Sequence, residues 1–509
     1  MKKFYRFLLL LIIMVLGNSF LFSQTYDWNT KAGGNSQRNG FSLALGPLLE
    51  DGVEPEIYWE GGEYAKYAGK AVIEGDHLLV YRRWQSASQE EAWIIDYNLY
   101  TGEERWRVVL PIDTYHNYSK VSAVKDGLVF ANRAGGASEP EYIYALDTET
   151  GAIVWKSEAQ VGECDSESLA FADNGDLIAG DLDYVRRISI EDGSTIWETQ
   201  RGGASSDGDA ANVYGDRVYI WDQTAMGMFI TTLDIETGEE LYSSDIIGSP
   251  GFQQHGFAIG LDGRIYADIQ RGNPEMDSLH VFIDNGEAFE KQWSYPNAYT
   301  PYGNLGIAAD DKSVYTFSRE NKLLRLDALT GALLATSEVS LDLDGDDGFM
   351  PYIAIGNDGL LYIAVEDWPY YKLSSFTANC ELLYEESIEG LRGVALGDSV
   401  MVVNGKANII KAYKGRANSG VGLQEIGLSQ HKVYPNPSQG IFYLEDKFEQ
   451  DDLINIEVFN IEGKVVVSTH IVVYDNNSIR IDLSQQKNGL YLLKTYSKGK
   501  NNFQKLLKQ

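Results

Sequence analysis

An alternating acidic run is the clearest place in this 509-residue sequence where side chains could bind a metal. The run LDLDGDDGF covers residues 341–349, and Asp342, Asp344 and Asp346 alternate as the oxygen ligands of a calcium loop do. The common twelve-residue calcium loop would have Gly where Asp347 stands and Glu where Ile353 stands, so a solvated acidic turn is the other interpretation. Calcium is the one cofactor that the sequence suggests, and no other is predicted.

The residue types used by other common catalytic centres are scattered. The six histidines form no HxxxH or similar pair, so a zinc site has no support. We find no GxSxG elbow, no cysteine–histidine pair at a known family spacing and no phosphate-binding loop. Paired carboxylates for glycoside hydrolysis stay open, because 74 acidic residues offer many candidates whose distances the sequence does not determine.

The elements that would position these residues are short strands in a repeating pattern. A turn rich in Asp, Asn and Gly is followed by a short apolar strand eight times, as in KDGLVFA from residue 125 and NDGLLYI from residue 357. Equivalent positions recur at intervals of 39 to 50 residues, which is typical of the blades of a β-propeller. These positions are Leu78, Leu128, Leu177, Val218, Ile265, Val314, Leu361 and Val400.

A second pattern follows each of the first seven copies. It is an apolar strand, a Thr-Gly-type turn and a strand that carries an aromatic residue, such as ETGAIVW ending at Trp155. We interpret the tryptophans as packing between neighbouring blades rather than binding a cofactor. The eighth blade, at about residues 393–415, ends after its third strand, so we predict that residues 56–59 supply its outer strand and close the ring.

The phrase YALDTETGAIVWK at 144–156 resembles the repeat of quinoprotein-dehydrogenase-like propellers, the PQQ-like repeat, and residues 27–40 resemble the lead-in of that family. The resemblance implies an eight-bladed propeller. Enzymes of the family use adjacent cysteines beside a quinone, but Cys164 and Cys380 lie far apart here. We expect Cys164 in a blade-to-blade connection and Cys380 in a hairpin on the opposite face, so they should not pair. Quinone catalysis is therefore disfavoured.

In such blades the blade-to-blade connections and the loops between second and third strands emerge on one face. The long irregular segments fall there, and we predict an aromatic-rich funnel that suits a glycan or peptide. The candidate ligand-binding residues are Trp84, Tyr115, His116, Tyr118, Trp221, His255, Tyr299, Tyr302 and Trp368. Tyr370, three acidic residues (Asp165, Asp207, Asp209) and three arginines (Arg83, Arg133, Arg201) would join them.

Both chain ends indicate export. A basic start, the apolar run 7–16 and a small residue, Ser23, predict a signal peptide over residues 1–23. The apolar run is too short to span a bilayer, which needs about 20 apolar residues. Residues 432–509 carry three blocks of strands and turns, and they resemble the C-terminal sorting domain of the type IX secretion system, a small Ig-like β-sandwich. The alternative is an ordinary carbohydrate-binding or fibronectin-like sandwich. The residues that carry the resemblance are Pro435, Asn436, Pro437, Gly440, Gly463, Gly489 and Tyr491.

Composition limits the partners. A net charge of −32 argues against nucleic acid and against anionic lipid, and no later apolar stretch is long enough to span a membrane. The sequence thus predicts an all-β chain: signal peptide 1–23, eight-bladed propeller 24–415, linker 416–431 and sorting sandwich 432–509.

We expect a secreted or cell-surface protein of a Bacteroidetes-type bacterium whose propeller binds a glycan or protein without catalysis and whose tail engages the secretion machinery. A secreted polysaccharide hydrolase or lyase, a quinoprotein dehydrogenase and an outer-membrane assembly factor are the alternatives. Type IX export counts against the last, because such factors work in the periplasm.

Overall fold

A computed structural model describes residues 26–30, 32–62, 64–85, 90–111, 118–134, 141–161, 169–181, 183–202, 211–248, 257–269, 278–296, 298, 307–310, 312–341, 351–366, 371–406, 409–417, 432–434, 436, 438–445, 453–460, 465–472, 479–484, 486–497 and 500–508. The chain divides into two compact units, Met1–Asn418 and Ser419–Gln509. The predicted signal peptide and nearly all of the predicted linker lie outside the described residues.

Eight antiparallel sheets follow one another through the described part of the first unit, and each is one blade of a propeller. The first strands of neighbouring blades contact one another, which places them around the central axis. From the axis outward, the first blade contains β2 (Tyr67–Ala68) and β3 (Val72–Glu74), β4 (His77–Gln85), β5 (Glu90–Asn98) and β6 (Glu104–Val108). In the same order, the second blade contains β7 (Tyr118–Lys125), β8 (Leu128–Ala134), β9 (Ile143–Asp147) and β10 (Ile153–Lys156), and the third contains β11 (Leu169–Phe171), β12 (Leu177–Gly180), β13 (Tyr184–Ile188) and β14 (Thr195–Gln200). The fourth blade contains β15 (Asn212–Tyr214), β16 (Arg217–Thr224), β17 (Gly227–Asp234) and β18 (Glu240–Ser243).

The last four blades repeat this order, and all eight predicted repeat positions fall in second strands. The eight-bladed propeller predicted from the repeats is confirmed. The fifth blade contains β19 (Phe257–Ile259), β20 (Ile265–Ile269), β21 (Ser278–Asp284) and β22 (Phe289–Pro296), and the sixth contains β23 (Ala308–Ala309), β24 (Ser313–Phe317), β25 (Leu323–Asp327) and β26 (Leu333–Thr336). The seventh blade contains β27 (Pro351–Ile355), β28 (Leu361–Glu366), β29 (Tyr371–Phe376) and β30 (Leu382–Ser387). The eighth blade contains β31 (Arg392–Gly397), β32 (Val400–Asn404), β33 (Ile410–Lys414) and, as its outer strand, β1 (Ile57–Gly61).

The eighth blade is completed from the other end of the unit. β1 pairs antiparallel with β33, with Ile57 opposite Tyr413 and Gly61 opposite Ile410. This is the closing strand expected from the sequence. It covers the outer edge of β33, so the first and last blades are held by main-chain hydrogen bonds rather than by side chains alone.

Tryptophan fixes the spacing between several neighbouring blades. Trp106 in the first blade donates its indole N–H to the carbonyl of Thr148 in the second, at 2.7 Å. A methyl carbon added at Gly151 would lie 2.6 Å from the same ring, so only glycine leaves room for it. The same arrangement pairs Trp155 with Gly193, Trp197 with Gly238 and Trp293 with Gly331.

The closing strand makes the same contact. Trp59 of β1 donates its indole N–H to the carbonyl of Leu99 at 2.9 Å, and its ring occupies the space beside Gly102. Trp59 therefore joins the eighth blade to the first as the other tryptophans join their blades.

The T-G turns have a local cause as well. Asp147 accepts hydrogen bonds from the backbone N–H and the hydroxyl of Thr150, at 2.8 and 2.6 Å. Asp234 with Thr237 and Asp327 with Thr330 repeat this capped turn. The glycine that follows this turn has a positive φ, a conformation that glycine adopts without steric cost.

The second unit is a small sandwich of two sheets. One has the order β34 (Lys432–Tyr434), β35 (Ile441–Glu445), β38 (Ile479–Asp482), and the other β37 (Val465–Val472), β36 (Leu453–Phe459), β39 (Gly489–Ser497), β40 (Lys500–Lys508). Phe442 and Leu444 of the first sheet and Val458 and Leu493 of the second share one buried core. The predicted small β domain at the C-terminus is confirmed, and its Ig-like character stays a prediction.

Of the sorting residues, Tyr491 is buried and donates its hydroxyl to the carbonyl of Lys487 at 2.6 Å. Gly440 has φ +119, and a methyl carbon there would lie 2.9 Å from the backbone of Ser484. Gly489 opens β39, and Asn436 is exposed. Pro435, Pro437 and Gly463 lie outside the described residues.

We predict that Gly102→Ala weakens ring closure. The change imposes backbone strain at φ +71 and sets a methyl carbon 2.5 Å from the Trp59 ring, so we expect it to lower the free energy of unfolding by roughly 2–5 kcal/mol. Gly75→Ala is the matched control, because Gly75 has φ +57 with open space around it and should lose only about 1–2 kcal/mol. Urea unfolding followed by tryptophan fluorescence measures both, and equal losses would refute the packing explanation.

Candidate functional site

The ring has two faces with different construction. We call the face that carries the turns between first and second strands and between third and fourth strands the hairpin face. The opposite face, with the blade-to-blade connections and the turns between second and third strands, is the loop face. The predicted ligand residues were assigned to the loop face.

The structure describes three of those nine residues. Trp84 lies near the end of β4 beside the loop face and is 36% exposed. Tyr118 begins β7, where its backbone pairs with Ala134. The remaining candidates, other than Trp221, lie outside the described residues, as do the calcium candidates Asp342, Asp344 and Asp346. Both sets stay predictions.

Trp221 does not belong to a ligand surface. Its side chain is 2% exposed and packs edge to face on Phe257 of the fifth blade, with ring centroids 5.7 Å apart. The residue stands in β16, where the five consecutive residues 218–222 are buried because both faces of the strand contact neighbouring blades. We therefore correct its assignment to a core position.

Arg201 is likewise structural. Its guanidinium is buried, donates to the carboxylate of Asp222 at 3.1 Å and to the carbonyl of Asp181 at 2.8 Å, and so ties the third blade to the fourth. Burial raises the pKa of Asp222, although the charge and hydrogen bonds of Arg201 act in the opposite direction. Arg83 is half-buried in β4, and the backbone of Arg133 belongs to β8. Asp165, Asp207, Asp209 and Tyr370 lie outside the described residues.

Cys380 occupies the hairpin position predicted for it. It is buried with φ +62, in the place where other blades have the glycine of the T-G turn. Burial raises the pKa of its thiol to about 12, so the thiol stays protonated at neutral pH and is a poor nucleophile. Cys164 lies outside the described residues.

An N-terminal segment, described for residues 26–30 and 32–42 and here called the cap, lines the inner strands at the hairpin face. Trp28 pairs with Ile73 of the first blade, and the carbonyl of Asn29 accepts from Val124 of the second. The carbonyls of Ser36, Gln37, Asn39 and Gly40 accept from Val213, Ile259, Ala309 and Ile355 of the fourth to seventh blades. These N–H groups belong to the free inner edges of the blades, so the cap supplies partners that the sheets lack.

Asparagines and glycines shape the cap. Asn39 donates its side-chain amide to the carbonyl of Ile259 at 2.9 Å, and its side-chain oxygen accepts from Phe41 and from Asn35. Gly40 has φ +68, and a methyl carbon there would overlap the carbonyl oxygen of Ile353. The chain can approach the inner strands this closely only because glycine stands at that position.

A polar cavity of about 300 Å³ opens beside the cap between the second, third and fourth blades. We call it the cap cavity. Its lining comes from the cap (Asn29, Gly34, Asn35, Ser36, Gln37), from Lys125 of the second blade, from Phe171, Ala172 and Asp173 of the third, and from Val213, Tyr214 and Gly215 of the fourth. Sequence reasoning missed this site, although the polar, glycine-rich run at 27–40 was a visible signal.

A charged cluster joins the first and second blades on the same face. His77 Nδ1 lies 2.8 Å from Asp96 Oδ2, and His77 Nε2 lies 3.4 Å from Glu149 Oε1 of the second blade. Arg105 contacts His77 and pairs with Asp76. The hydrogen bond to Asp96 raises the pKa of His77, and burial raises the pKa of Asp96 despite its bond to His77.

No group of three or more His, Cys, Asp or Glu side chains in the described part of the chain is arranged to hold a metal ion. The same residues contain no helix that is long and apolar enough to cross a membrane.

Two family models match the chain. Residues 432–509 match the secretion system C-terminal sorting domain. Residues 90–255, within the propeller, match a PQQ-repeat family described as the outer membrane protein assembly factor BamB. The tail is thus a sorting domain, which indicates a secreted or cell-surface protein, and the body is a PQQ-like repeat propeller. No curated protein matches the chain in sequence.

Solved propellers resemble the chain at low identity. The Dos1 propeller has a TM-score of 0.50 and 10% identity over 71% of this chain and 95% of its own. BamB from Moraxella catarrhalis has a TM-score of 0.46 and 14% sequence identity, and the match covers 65% of this chain and 96% of BamB. Quinohemoprotein alcohol dehydrogenase ADHIIG from Pseudomonas putida HK5 has a TM-score of 0.39 and 12% sequence identity. The match covers 77% of this chain and 81% of the dehydrogenase. At 10% identity the likeness to the Dos1 propeller shows the fold alone.

We predict that the His77 cluster makes stability depend on pH. The folded pKa values of Asp96 and His77 are raised above their ordinary values of 3.8 and 6.5, so this contribution to stability is complete at low pH and is lost as the pH rises through the two folded pKa values. Asp96→Asn should therefore flatten the fall in the free energy of unfolding over that range. Asp216→Asn is the control, because that side chain is 84% exposed and its curve should parallel the wild type. Parallel curves for Asp96→Asn and the wild type would contradict the prediction.

Proposed function

We propose that the chain is an exported binding protein: its propeller holds an extracellular glycan or protein ligand without altering it chemically, and its tail carries it out of the cell through the type IX machinery. The observation that carries the binding role is the cap cavity, a preformed polar pocket with two aromatic side chains on a closed ring. Ligand sites are commonly concave, largely preformed and lined by a few placed polar groups.

Two partly buried carboxylates in the described part of the chain, Asp284 and Glu386, are engaged in contacts between blades. Asp284 of the fifth blade accepts from Arg217 at 2.8 Å and from Tyr219 at 2.7 Å, both of the fourth blade, and also from the hydroxyl of Tyr242. Burial raises the pKa of Asp284, but these bonds outweigh it and the pKa is lowered. The carboxylate is thus held ionised as a blade-to-blade contact.

The closing blade contains a similar contact. Glu386 of the seventh blade accepts from Lys411 at 2.5 Å and from Tyr413 at 2.6 Å, both of the eighth blade. Such pairs favour one relative position of two blades, because separating them would leave a partly buried charge without its partner. A rigid ring that presents a preformed pocket suits binding, since little ordering is required when a ligand arrives.

The binding role is tested with the intact secreted protein on arrays of glycans and peptides, followed by incubation of each bound ligand and analysis of the products. We expect retention of at least one ligand and its recovery unchanged. Release of shortened saccharides would favour the polysaccharide hydrolase or lyase instead. Oxidation of alcohols after addition of quinone and calcium would favour a dehydrogenase.

The export role is tested by removing residues 432–509. We expect the truncated protein to accumulate in the periplasm, because the sorting signal is lost while the predicted signal peptide remains. A reporter protein that carries residues 1–25 and 418–509 is the matched gain-of-function control and should reach the medium or the cell surface. Cell fractionation and surface proteolysis measure both, and export of the truncated chain would contradict the role assigned to the tail.

A further inference from the structure

The cap cavity offers hydrogen-bond acceptors in particular. Asn29 donates its side-chain amide to the carbonyl of Val124 at 3.0 Å, and Gln37 donates its amide to the carbonyl of Gly260 at 2.5 Å. The Gln37 amide also donates to the carbonyl of Ile259 at 3.4 Å. The side-chain oxygens of Asn29 and Gln37 are not used in these bonds, so both residues can accept a hydrogen bond from a ligand. The carboxylate of Asp173 adds two more acceptor atoms.

Donors are fewer. Ser36 accepts the backbone N–H of Phe171 at 2.8 Å, so its hydroxyl proton can be given to a ligand. Lys125 is the cation of the lining, and its ammonium lies 4.0 Å from the carboxylate of Asp126 and 5.7 Å from the centre of the Phe171 ring. Its charge is therefore shared with Asp126, and it can donate a hydrogen bond without requiring an anion.

This combination points to a neutral, polyhydroxylated ligand. Hydroxyl groups both donate to carbonyl and carboxylate oxygens and accept from an ammonium or a hydroxyl. An anionic ligand would meet the carboxylate of Asp173 on a protein of net charge −32. A cationic ligand would meet the ammonium of Lys125.

Aromatic side chains supply the apolar part of the lining. The Tyr214 ring is 37% exposed and packs beside Gly263, where a methyl carbon would lie 2.5 Å from it. Phe171 is 6% exposed and adds ring surface within the cavity. A sugar ring has a face of C–H groups that packs against an aromatic ring while its hydroxyls bond sideways to polar groups.

We propose that the cap cavity binds the terminal one or two sugar rings of a neutral glycan. The size agrees, because about 300 Å³ is at the lower end of the range of roughly 300–1,000 Å³ seen for ligand pockets. The proposal rests on the binding function proposed above and adds a ligand class and a place, on the face opposite to the one chosen from sequence.

The test uses the intact secreted protein and oligomers of one to four glucose, galactose, mannose or xylose units, with affinity measured by isothermal titration calorimetry. We expect at least one series to bind, with no gain in affinity beyond two rings. Tyr214→Ala and Asp173→Asn should each weaken that binding at least tenfold. Asp173 is exposed, so its variant should keep the fold.

Matched controls come from residues outside the lining. Tyr64→Ala removes another exposed tyrosine, 55% accessible, and Asp51→Asn neutralises another exposed aspartate. Both should bind as the wild type does. Binding that is lost equally in the controls and in the cavity variants would overturn the assignment.

The two proposals fail in different ways. If neutral glycans bind but the cavity variants bind them normally, and Trp84→Ala on the loop face abolishes binding, the cap cavity is wrong while the binding function stands. If only peptides or charged glycans bind, the ligand class is wrong. If the arrays and the titrations show no ligand of any kind, the binding function fails together with the cavity.

Discussion

The ring depends on one repeated contact, an indole ring packed against a glycine of the next blade. The glycine leaves room for the ring, and the indole N–H bonds to a carbonyl of the same hairpin, as Trp155 does with Ile190 at 2.9 Å. The two conditions together fix the distance and the orientation between neighbouring blades. Because Trp59 satisfies both on the closing strand, the last joint has the same geometry as the others, and the circle closes without a special adjustment.

Neighbouring blades that lack the tryptophan–glycine contact are also packed by side chains of matching size. Where the sixth blade has Ala335 in place of tryptophan, the seventh has Cys380 in place of glycine, and the two pack in one cluster. The smaller side chain on one blade is matched by the larger one on the next, which preserves packing density. Where the fourth blade has Tyr242, its hydroxyl bonds to Asp284 of the fifth, so a polar contact takes over. The spacing between blades is thus conserved while its chemistry varies.

The repeats made the propeller predictable, and the strand missing from the eighth blade predicted the closing strand, whereas the path of the cap was not predicted. Leu78 and its seven equivalents fell in second strands because turn residues and apolar strands act locally and recur. The path of the cap depends on bonds such as that from Asn39 to Ile259, across 220 residues, and no local pattern encodes them. The prediction that Trp221 lies at the ligand surface overlooks the run VYIW in its strand, a continuous apolar run typical of a strand buried on both faces.

A ring of similar blades offers nearly equivalent surfaces, so a single binding site requires an element that occurs once. The cap is such an element: it occurs once, and between the second and fourth blades its polar residues line a cavity together with Lys125, Asp173 and Tyr214. Since function resides in sites that are added to a fold, likeness of the propeller to other propellers does not transfer their ligands. The same N-terminal region also supplies β1, so closure of the ring and shape of the cavity depend on neighbouring segments of one chain. A substitution that loosens β1 should therefore disturb the cavity as well, because the cap would lose the anchor that follows it in sequence.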